Sequence, residues 1–218
     1  DNLTKNAFVA AASSFTLGFA PLFWLYAHVA EVFQLTLLLV AASVLFLFKW
    51  FLASSFRTGQ GPFLAVFLFG LSVFHHQTTI FLAPAYLFLF WRKKRFFSYK
   101  VCLRLFLVFL LGALPYAYLL IVNRLQVATN WGDTANFSGI WHLISRADYG
   151  TFTASPELLG VPISERLVHI WWYLNTARAD FTYLGLFFAL VGAVWLFLRK
   201  RDWFWFFALA FVFSGPVF

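Results

Sequence analysis

Two adjacent histidines, His75 and His76, are the clearest chemical signal in the sequence. They precede Gln77, Thr78 and Thr79 in the middle of residues 58–91, a run without any charged side chain. Imidazole can hydrogen-bond a phosphate or accept a proton near physiological pH; alternatively, one of the rings satisfies carbonyl groups at a helix end. We do not expect a metal site, because adjacent histidines on a tight turn seldom reach one ion and no cysteine or second carboxylate is near in sequence.

Glu31 is the acidic residue between the first two apolar runs, residues 6–30 and 32–48. The turn around it has few polar residues, and an ionisable group held at a membrane boundary is by default a functional candidate. Glu31 is therefore our candidate catalytic residue. The alternative is a carboxylate at the water interface that favours the start of the second helix through the helix dipole.

A third candidate is the cluster of Asn130, Trp131 and Asp133 around Gly132. An aromatic face can cover the apolar face of a pyranose while amide and carboxylate groups bond its hydroxyls, so the cluster is suited to a sugar. The alternative, which composition alone favours, is a glycine-centred turn in which Asp133 caps a helix that begins near Phe137.

The composition of the chain indicates an integral membrane protein. Of its 218 residues, 62% are hydrophobic and only 11% are charged, against about 25% charged in a soluble domain, which excludes a soluble enzyme. The net charge of +8 does not indicate nucleic acid, because the charges lie at the ends of apolar runs. The single cysteine, Cys102, excludes an internal disulfide, and the absence of methionine predicts a piece of a longer protein.

The positive-inside rule decides how residues 58–91 cross the membrane. If the run enters, turns at its polar centre and returns, only four of the 16 Lys and Arg residues lie outside. Each arm of such a hairpin, predicted at 62–91, reaches only about 20 Å into a core about 30 Å thick. Polar backbone at that depth requires protein cover or water, so the tip predicts a cavity open to the outside.

The predicted organisation has three parts. Residues 1–122 form transmembrane helices including the hairpin, residues 123–180 form an extracytoplasmic segment with interfacial helices, and residues 181–218 form further transmembrane helices that the end of the chain truncates. The fold class expected is an all-α, polytopic bundle.

Two motifs in the first part resemble those of one family of polytopic membrane proteins. Trp24, Ala27, Glu31 and Val32 fit the pattern Trp-x-x-Ala-x-x-x-Glu-Val-Tyr-x-Leu, with Phe33 at the tyrosine position. The second motif, Gly-Leu-x-x-x-His-His, ends at the two histidines of the tip.

A third stretch extends the resemblance, with Asn-Trp-Gly-Asp at residues 130–133 and Arg-x-x-Tyr-Gly at residues 146–150. The family includes the metazoan O-mannosyltransferase acting on IPT domains and belongs to the GT-C class of glycosyltransferases. The resemblance implies a GT-C-like membrane fold, a polyprenyl- or dolichyl-phosphate sugar donor, and inverting transfer of a hexose such as mannose to a protein or glycan acceptor outside the cytoplasm. The candidates for binding the donor phosphate or sugar are His75, His76, Asn130, Trp131, Asp133, Arg146 and Tyr149.

The same resemblance raises one question about the general base. Members of the class usually carry an essential acid in the first outer loop, and the chain begins after that point, so we expect this base in a preceding part of the parent enzyme. The expected location is a bacterial inner membrane, or the endoplasmic reticulum of a eukaryote, with no cofactor and no nucleic-acid partner. The alternative function is a transporter or lipid-handling protein, which explains Glu31 and the histidines but not the outer segment rich in Trp, Asn and Asp.

Overall fold

The computed structural model describes residues 6–29, 32–53, 60–94, 97–125, 134, 136–145, 147–149 and 163–215, with only the backbone given for a few of them. The elements in these ranges are helices: α1 Ala7–Gly18, α2 Pro21–His28, α3 Phe33–Leu52, α4 Gly61–His75, a 3₁₀ helix Gln77–Leu82, α5 Ala83–Arg92, α6 Tyr99–Leu111, α7 Leu114–Arg124, α8 Phe137–Ile144, a 3₁₀ helix Ala147–Tyr149, α9 Ile163–Arg199 and α10 Arg201–Ser214.

Three stretches are long and apolar enough to cross a membrane: Phe33–Leu52, Tyr99–Val122 and Ile170–Arg199. The first apolar run forms two helices instead of one straight helix: α1 and α2 meet at an angle of 57°. Pro21 lies in the first turn of α2, where proline is favoured, and a continuous helix through it would lack a hydrogen bond. The chain is thus a membrane protein, and the predicted all-α, polytopic fold class is confirmed.

Helices α3, α4, α5 and α10 form the core. Phe48 of α3 packs against Trp203 of α10 with ring centroids 4.2 Å apart, and Phe69 of α4 stacks on Tyr86 of α5 at 4.4 Å. By contrast, no residue of α1 or α2 is buried, and several of their large apolar side chains are exposed, among them Phe8, Phe15, Trp24 and Leu25. Such largely apolar surfaces suit contact with lipid.

One buried polar cluster joins three core helices. Ser43 of α3, fully buried, donates a hydrogen bond to the carbonyl of Ala65 on α4 at 2.6 Å, and its Oγ lies 2.7 Å from the hydroxyl of Tyr86 on α5. Because the Ser43 hydroxyl directs its proton to the Ala65 carbonyl, the Tyr86 hydroxyl donates its own proton to the Ser43 Oγ. Each polar side-chain atom in the cluster is therefore satisfied.

We predict that Ser43→Ala destabilises the protein by about 1–3 kcal/mol, because it leaves the Tyr86 hydroxyl buried without its acceptor. Tyr86→Phe should reduce the free energy of unfolding by less, since Ser43 keeps its hydrogen bond to the carbonyl of Ala65. The double variant should melt at a higher temperature than Ser43→Ala alone in detergent, because the orphaned hydroxyl is gone. A double variant less stable than both singles would contradict this account.

The chain reverses between α4 and α5. The first residue of α4, Gly61, lies against Trp50 near the end of α3, and Phe90 near the end of α5 packs on the same Trp50 ring at 5.3 Å. Lys93 donates to the carbonyls of Trp50 and Ala53 at 3.3 and 3.1 Å, and burial lowers the pKa of its ammonium. A cation at the last carbonyls of α3 is favourable for the helix dipole.

Two helix boundaries differ from the charge-free runs. The span predicted within residues 105–123 begins earlier, at Tyr99, so that Lys100 and Arg104 lie in the first turns of α6 with exposed side chains. Long basic side chains can extend from a helix end to the water interface. Helix α9 is interrupted at Thr182, which has φ 60° and ψ 173°, a strained conformation for a β-branched residue.

Candidate functional site

The two histidines of the tip contact the beginning of α3. Helix α4 ends at His75, and the backbone N–H of His76 donates to the carbonyl of Ser72 at 2.8 Å. The His75 Nε2 lies 3.2 Å from the carbonyl oxygen of Val32, and the His76 ring meets Phe33 edge to face at 5.4 Å. The tip is thus held against the two residues that follow Glu31.

Glu31 itself lies outside the described residues, but the structure fixes the elements on either side of it. Helices α2 and α3, which flank Glu31 in sequence, contact each other, because the Phe33 ring of α3 packs on Tyr26 of α2 at 4.6 Å. At the other end of α2, Asp180 of α9 accepts a hydrogen bond from the N–H of Leu22 at 3.1 Å. Asp180 therefore acts as a capping acceptor for α2, which has no side-chain cap of its own at Ala20.

Gln77 connects the tip to α7 and α8. Its amide nitrogen donates to the carbonyl of Leu143 on α8 at 2.8 Å and lies 3.4 Å from the hydroxyl of Tyr116 on α7. The Tyr116 ring also contacts Phe74, the residue before the histidines, at 5.9 Å. One polar side chain of the hairpin therefore contacts both α7 and α8.

Helix α8 begins at Phe137, where the turn alternative placed a helix start. Its N-cap is Asn136, whose side chain accepts from the N–H of Gly139 at 2.9 Å. The turn alternative assigned this cap to Asp133, which lies outside the described residues; the N-cap that the structure describes is Asn136, the residue immediately before the helix. Ile140 is the buried residue of α8, so this helix has one apolar face toward the protein.

The predicted sugar-binding residues Asn130, Trp131 and Asp133 lie outside the described residues. Thr134, which follows them directly, is 1% exposed, and its hydroxyl lies 3.5 Å from the carbonyl of Leu119 on α7. Leu119 is one turn from Tyr116, the residue that meets Gln77. Thr134 is therefore tethered to α7, the helix that also contacts the tip through Tyr116.

The last predicted motif is described only in part. Arg146 lies outside the described residues, and Tyr149 ends a 3₁₀ helix, with only its backbone described. Beside them, His142 Nε2 lies 2.8 Å from a carboxylate oxygen of Asp148, with both side chains largely exposed. This pair joins α8 to the 3₁₀ helix Ala147–Tyr149.

Of the predicted site residues, only His75 and His76 have described side chains, and the structure brings them together at one place. Four contributors were not predicted: Tyr116, Thr134, His142 and Asp180. That Asp180 forms a hydrogen bond was predictable, since an acidic residue next to an apolar run usually has a partner. That its partner is the N–H of Leu22 was not predictable. In the described part of the chain, no three His, Cys, Asp or Glu side chains are grouped closely enough to hold a metal.

Comparison with known proteins supports the resemblance drawn from the motifs. Residues 2–98 match the family model described as the Protein O-mannosyl-transferase TMEM260 N-terminal domain. The Dictyostelium discoideum protein named Protein O-mannosyl-transferase tmem260 is 25% identical over 213 residues, covering 89% of this chain and 25% of that protein. The Mus musculus Protein O-mannosyl-transferase TMEM260 is 29% identical over 166 residues, covering 73% and 23%.

These matches confirm the resemblance to the O-mannosyltransferase family. The chain spans about a quarter of the length of these curated relatives. No solved structure matches it significantly. The family model ends at residue 98 and thus includes α1 to α5, with Glu31 and the histidine tip, whereas the alignment with the Dictyostelium discoideum protein covers 89% of the chain and so continues beyond residue 98.

Proposed function

We propose that the chain is the part of a membrane glycosyltransferase of the GT-C class that holds a lipid-linked sugar donor, from which a hexose such as mannose is transferred to a protein or glycan. The observation that carries the proposal is the contact of His75 with Val32, because it joins the histidine tip to the backbone beside Glu31. Support comes from the names of the relatives, both of which are O-mannosyl-transferases.

The chemistry requires a base for the acceptor hydroxyl and hydrogen-bond donors for the departing lipid phosphate. General-base assistance contributes roughly 10²–10⁴ in rate, and donors that face the developing charge on the phosphate stabilise the transition state. In our proposal, Glu31 acts on the acceptor side together with the general base that we expect in a preceding part of the parent enzyme, while His75, His76 and Arg146 bind the phosphate. Asn130, Trp131, Asp133 and Tyr149 would contact the sugar.

Hydrogen bonding at His75 determines how that residue could act. A carbonyl oxygen only accepts, so Nε2 must carry the proton that faces Val32. The other ring nitrogen then donates to a phosphate only in the imidazolium form. The proposal therefore includes a doubly protonated His75 ring in the donor complex, with Nε2 on the Val32 carbonyl and the other nitrogen on the phosphate.

The proposed sidedness places the tip and α8 on the extracytoplasmic face. The basic residues near the opposite ends of α3, α5 and α10 include Lys49, Lys93 and Arg201, which agrees with the positive-inside rule. Arg92 of α5 forms an ion pair with Asp202 of α10 at 2.7 Å at the same end. An acceptor would then approach from the lumen of the endoplasmic reticulum or from the periplasm.

We expect Glu31→Gln in the full-length protein to reduce transfer from dolichyl-phosphate mannose to a protein acceptor by at least about tenfold, about 1.4 kcal/mol in the barrier. The substitution removes the charge but preserves the volume, so expression and melting temperature should stay close to those of the wild type. Radiolabelled mannose incorporation measures the transfer.

Glu31→Asp is the matched variant for this test, because it keeps the carboxylate and shortens its reach by one methylene. It should retain more activity than Glu31→Gln if the charge does the chemistry. Full turnover by Glu31→Gln would assign Glu31 to the start of α3 instead. Absence of any mannose transfer by the wild-type protein, with a folded preparation and donor bound, would contradict the proposed function.

A further inference from the structure

A long apolar groove lies between α5 and α6, away from the contacts of the histidine tip with α3 and α8. Its volume is about 500 Å³, and its described lining is almost entirely carbon. Tyr86, Phe90 and Lys94 line it from the side of α5, and Cys102, Phe106 and Phe109 line it from α6. Helix α5 has 10 residues, so the groove follows it for about 15 Å, the depth of one leaflet of a hydrocarbon core about 30 Å thick.

The polar groups of the lining are distributed unequally. The Tyr86 hydroxyl is bonded to Ser43 on the core side, at 2.7 Å, so it offers nothing to a ligand in the groove. At one end, the Lys94 ammonium lies 5.7 Å from the centre of the Trp91 ring, which also lines the groove. An occupant therefore meets hydrocarbon along its length and a cation at one end.

Lys93 and Lys94 are adjacent but face different partners. Lys93 is directed to α3, where it donates to the carbonyls of Trp50 and Ala53. Lys94 is the cation that lines the groove, among the lining residues that the structure describes. Lys94 is thus at the groove, whereas Lys93 bonds the last carbonyls of α3.

We propose that the groove binds one acyl chain of an anionic phospholipid whose headgroup phosphate is held by the Lys94 ammonium. The charge complementarity is that expected for basic pockets between transmembrane helices at the cytoplasmic face. A lipid-linked sugar bound at the histidine tip would have its phosphate near Ile80, at the opposite end of the groove from Lys94. The position of the cation therefore selects a phospholipid over the donor; its assignment to the inner leaflet rests on the proposed sidedness, whereas the site does not depend on the proposed transferase activity.

Cys102 provides a direct test, since it is the single cysteine of the chain, is exposed, and lines the groove. The purified chain in dodecyl maltoside is labelled with a maleimide in the presence of phosphatidylglycerol or phosphatidylcholine at equal mole fraction. We expect phosphatidylglycerol to slow the labelling of Cys102 at least threefold more than phosphatidylcholine does. Lys94→Gln should abolish this difference without changing the melting temperature.

The control is Leu103→Cys combined with Cys102→Ser, because residue 103 lies at the same depth of α6, is 51% exposed and does not line the groove. Its labelling should not distinguish the two lipids. Equal protection of Cys102 by both lipids, or a preference that persists in Lys94→Gln, would overturn the proposal. Protection by dolichyl phosphate but not by phosphatidylglycerol would also overturn it and would assign the groove to the donor.

Discussion

Gly70→Ala should lower the melting temperature of the protein by about 2–12 °C, although alanine normally stabilises a helix relative to glycine by about 0.5–1 kcal/mol. A Cβ at Gly70 would meet the backbone carbonyl of Phe109 on α6, and one at Gly112 would meet the backbone of Gly70. Backbone cannot move aside as a flexible side chain can, so the helices must separate. Overpacking of this kind costs about 1–3 kcal/mol, and each kcal/mol corresponds to about 2–4 °C in a protein of this size.

Gly192 supplies the matched control for this prediction. It lies inside α9, and a Cβ built there meets nothing within 4 Å. Gly192→Ala should therefore leave the melting temperature unchanged or raise it. If Gly70→Ala and Gly192→Ala shift the melting temperature alike in detergent, close contact between α4 and α6 is excluded.

The close approach at Gly70 also explains why a family motif contains a glycine there. Small residues let membrane helices approach closely, so that many weak contacts and weak hydrogen bonds add up. The effects of Gly70→Ala and Gly112→Ala should not be additive, because the two glycines face each other and a single separation of the helices relieves both clashes.

The helices were predictable from the sequence because charged side chains are costly inside a bilayer. The charge-free run 32–48 corresponds to α3, Phe33–Leu52, and the polar residues after His75 mark the end of α4. Charge gives no information about breaks inside an apolar run. The interruptions at Gly112 and Thr182 follow from packing and local backbone conformation, so the charge pattern does not predict them.

The site was predictable only as a set of motifs. Gln77 and Leu143 are 66 positions apart in sequence, and Leu22 and Asp180 are 158 positions apart, yet each pair shares a hydrogen bond. Periodicity reports which face of a helix is apolar, but not which distant backbone group a polar side chain will meet. The motif residues could therefore be named from the sequence, whereas Tyr116, Thr134 and Asp180, which support them, required the fold.

The histidines of the tip should separate donor binding from stability. We expect His75→Leu and His76→Leu each to weaken binding of a polyprenyl-phosphate analogue by about 10- to 150-fold, since a hydrogen bond to a charged group contributes about 1.5–3 kcal/mol. His28→Leu is the control, because His28 is an exposed histidine that contacts the carbonyl of Trp24 within α2. It should leave the affinity unchanged.

Affinity and melting temperature must be measured together on the same preparations, because the structure also gives both rings a contact within the protein. His75 meets the Val32 carbonyl and His76 meets the Phe33 ring, so a purely structural role predicts a lower melting temperature with unaltered affinity. A ligand role predicts the reverse for His75, whose side chain is exposed: His75→Leu should bind the analogue more weakly at an unaltered melting temperature. If both variants melt early and bind normally, the tip serves the fold, and Arg146 becomes the next candidate for the phosphate.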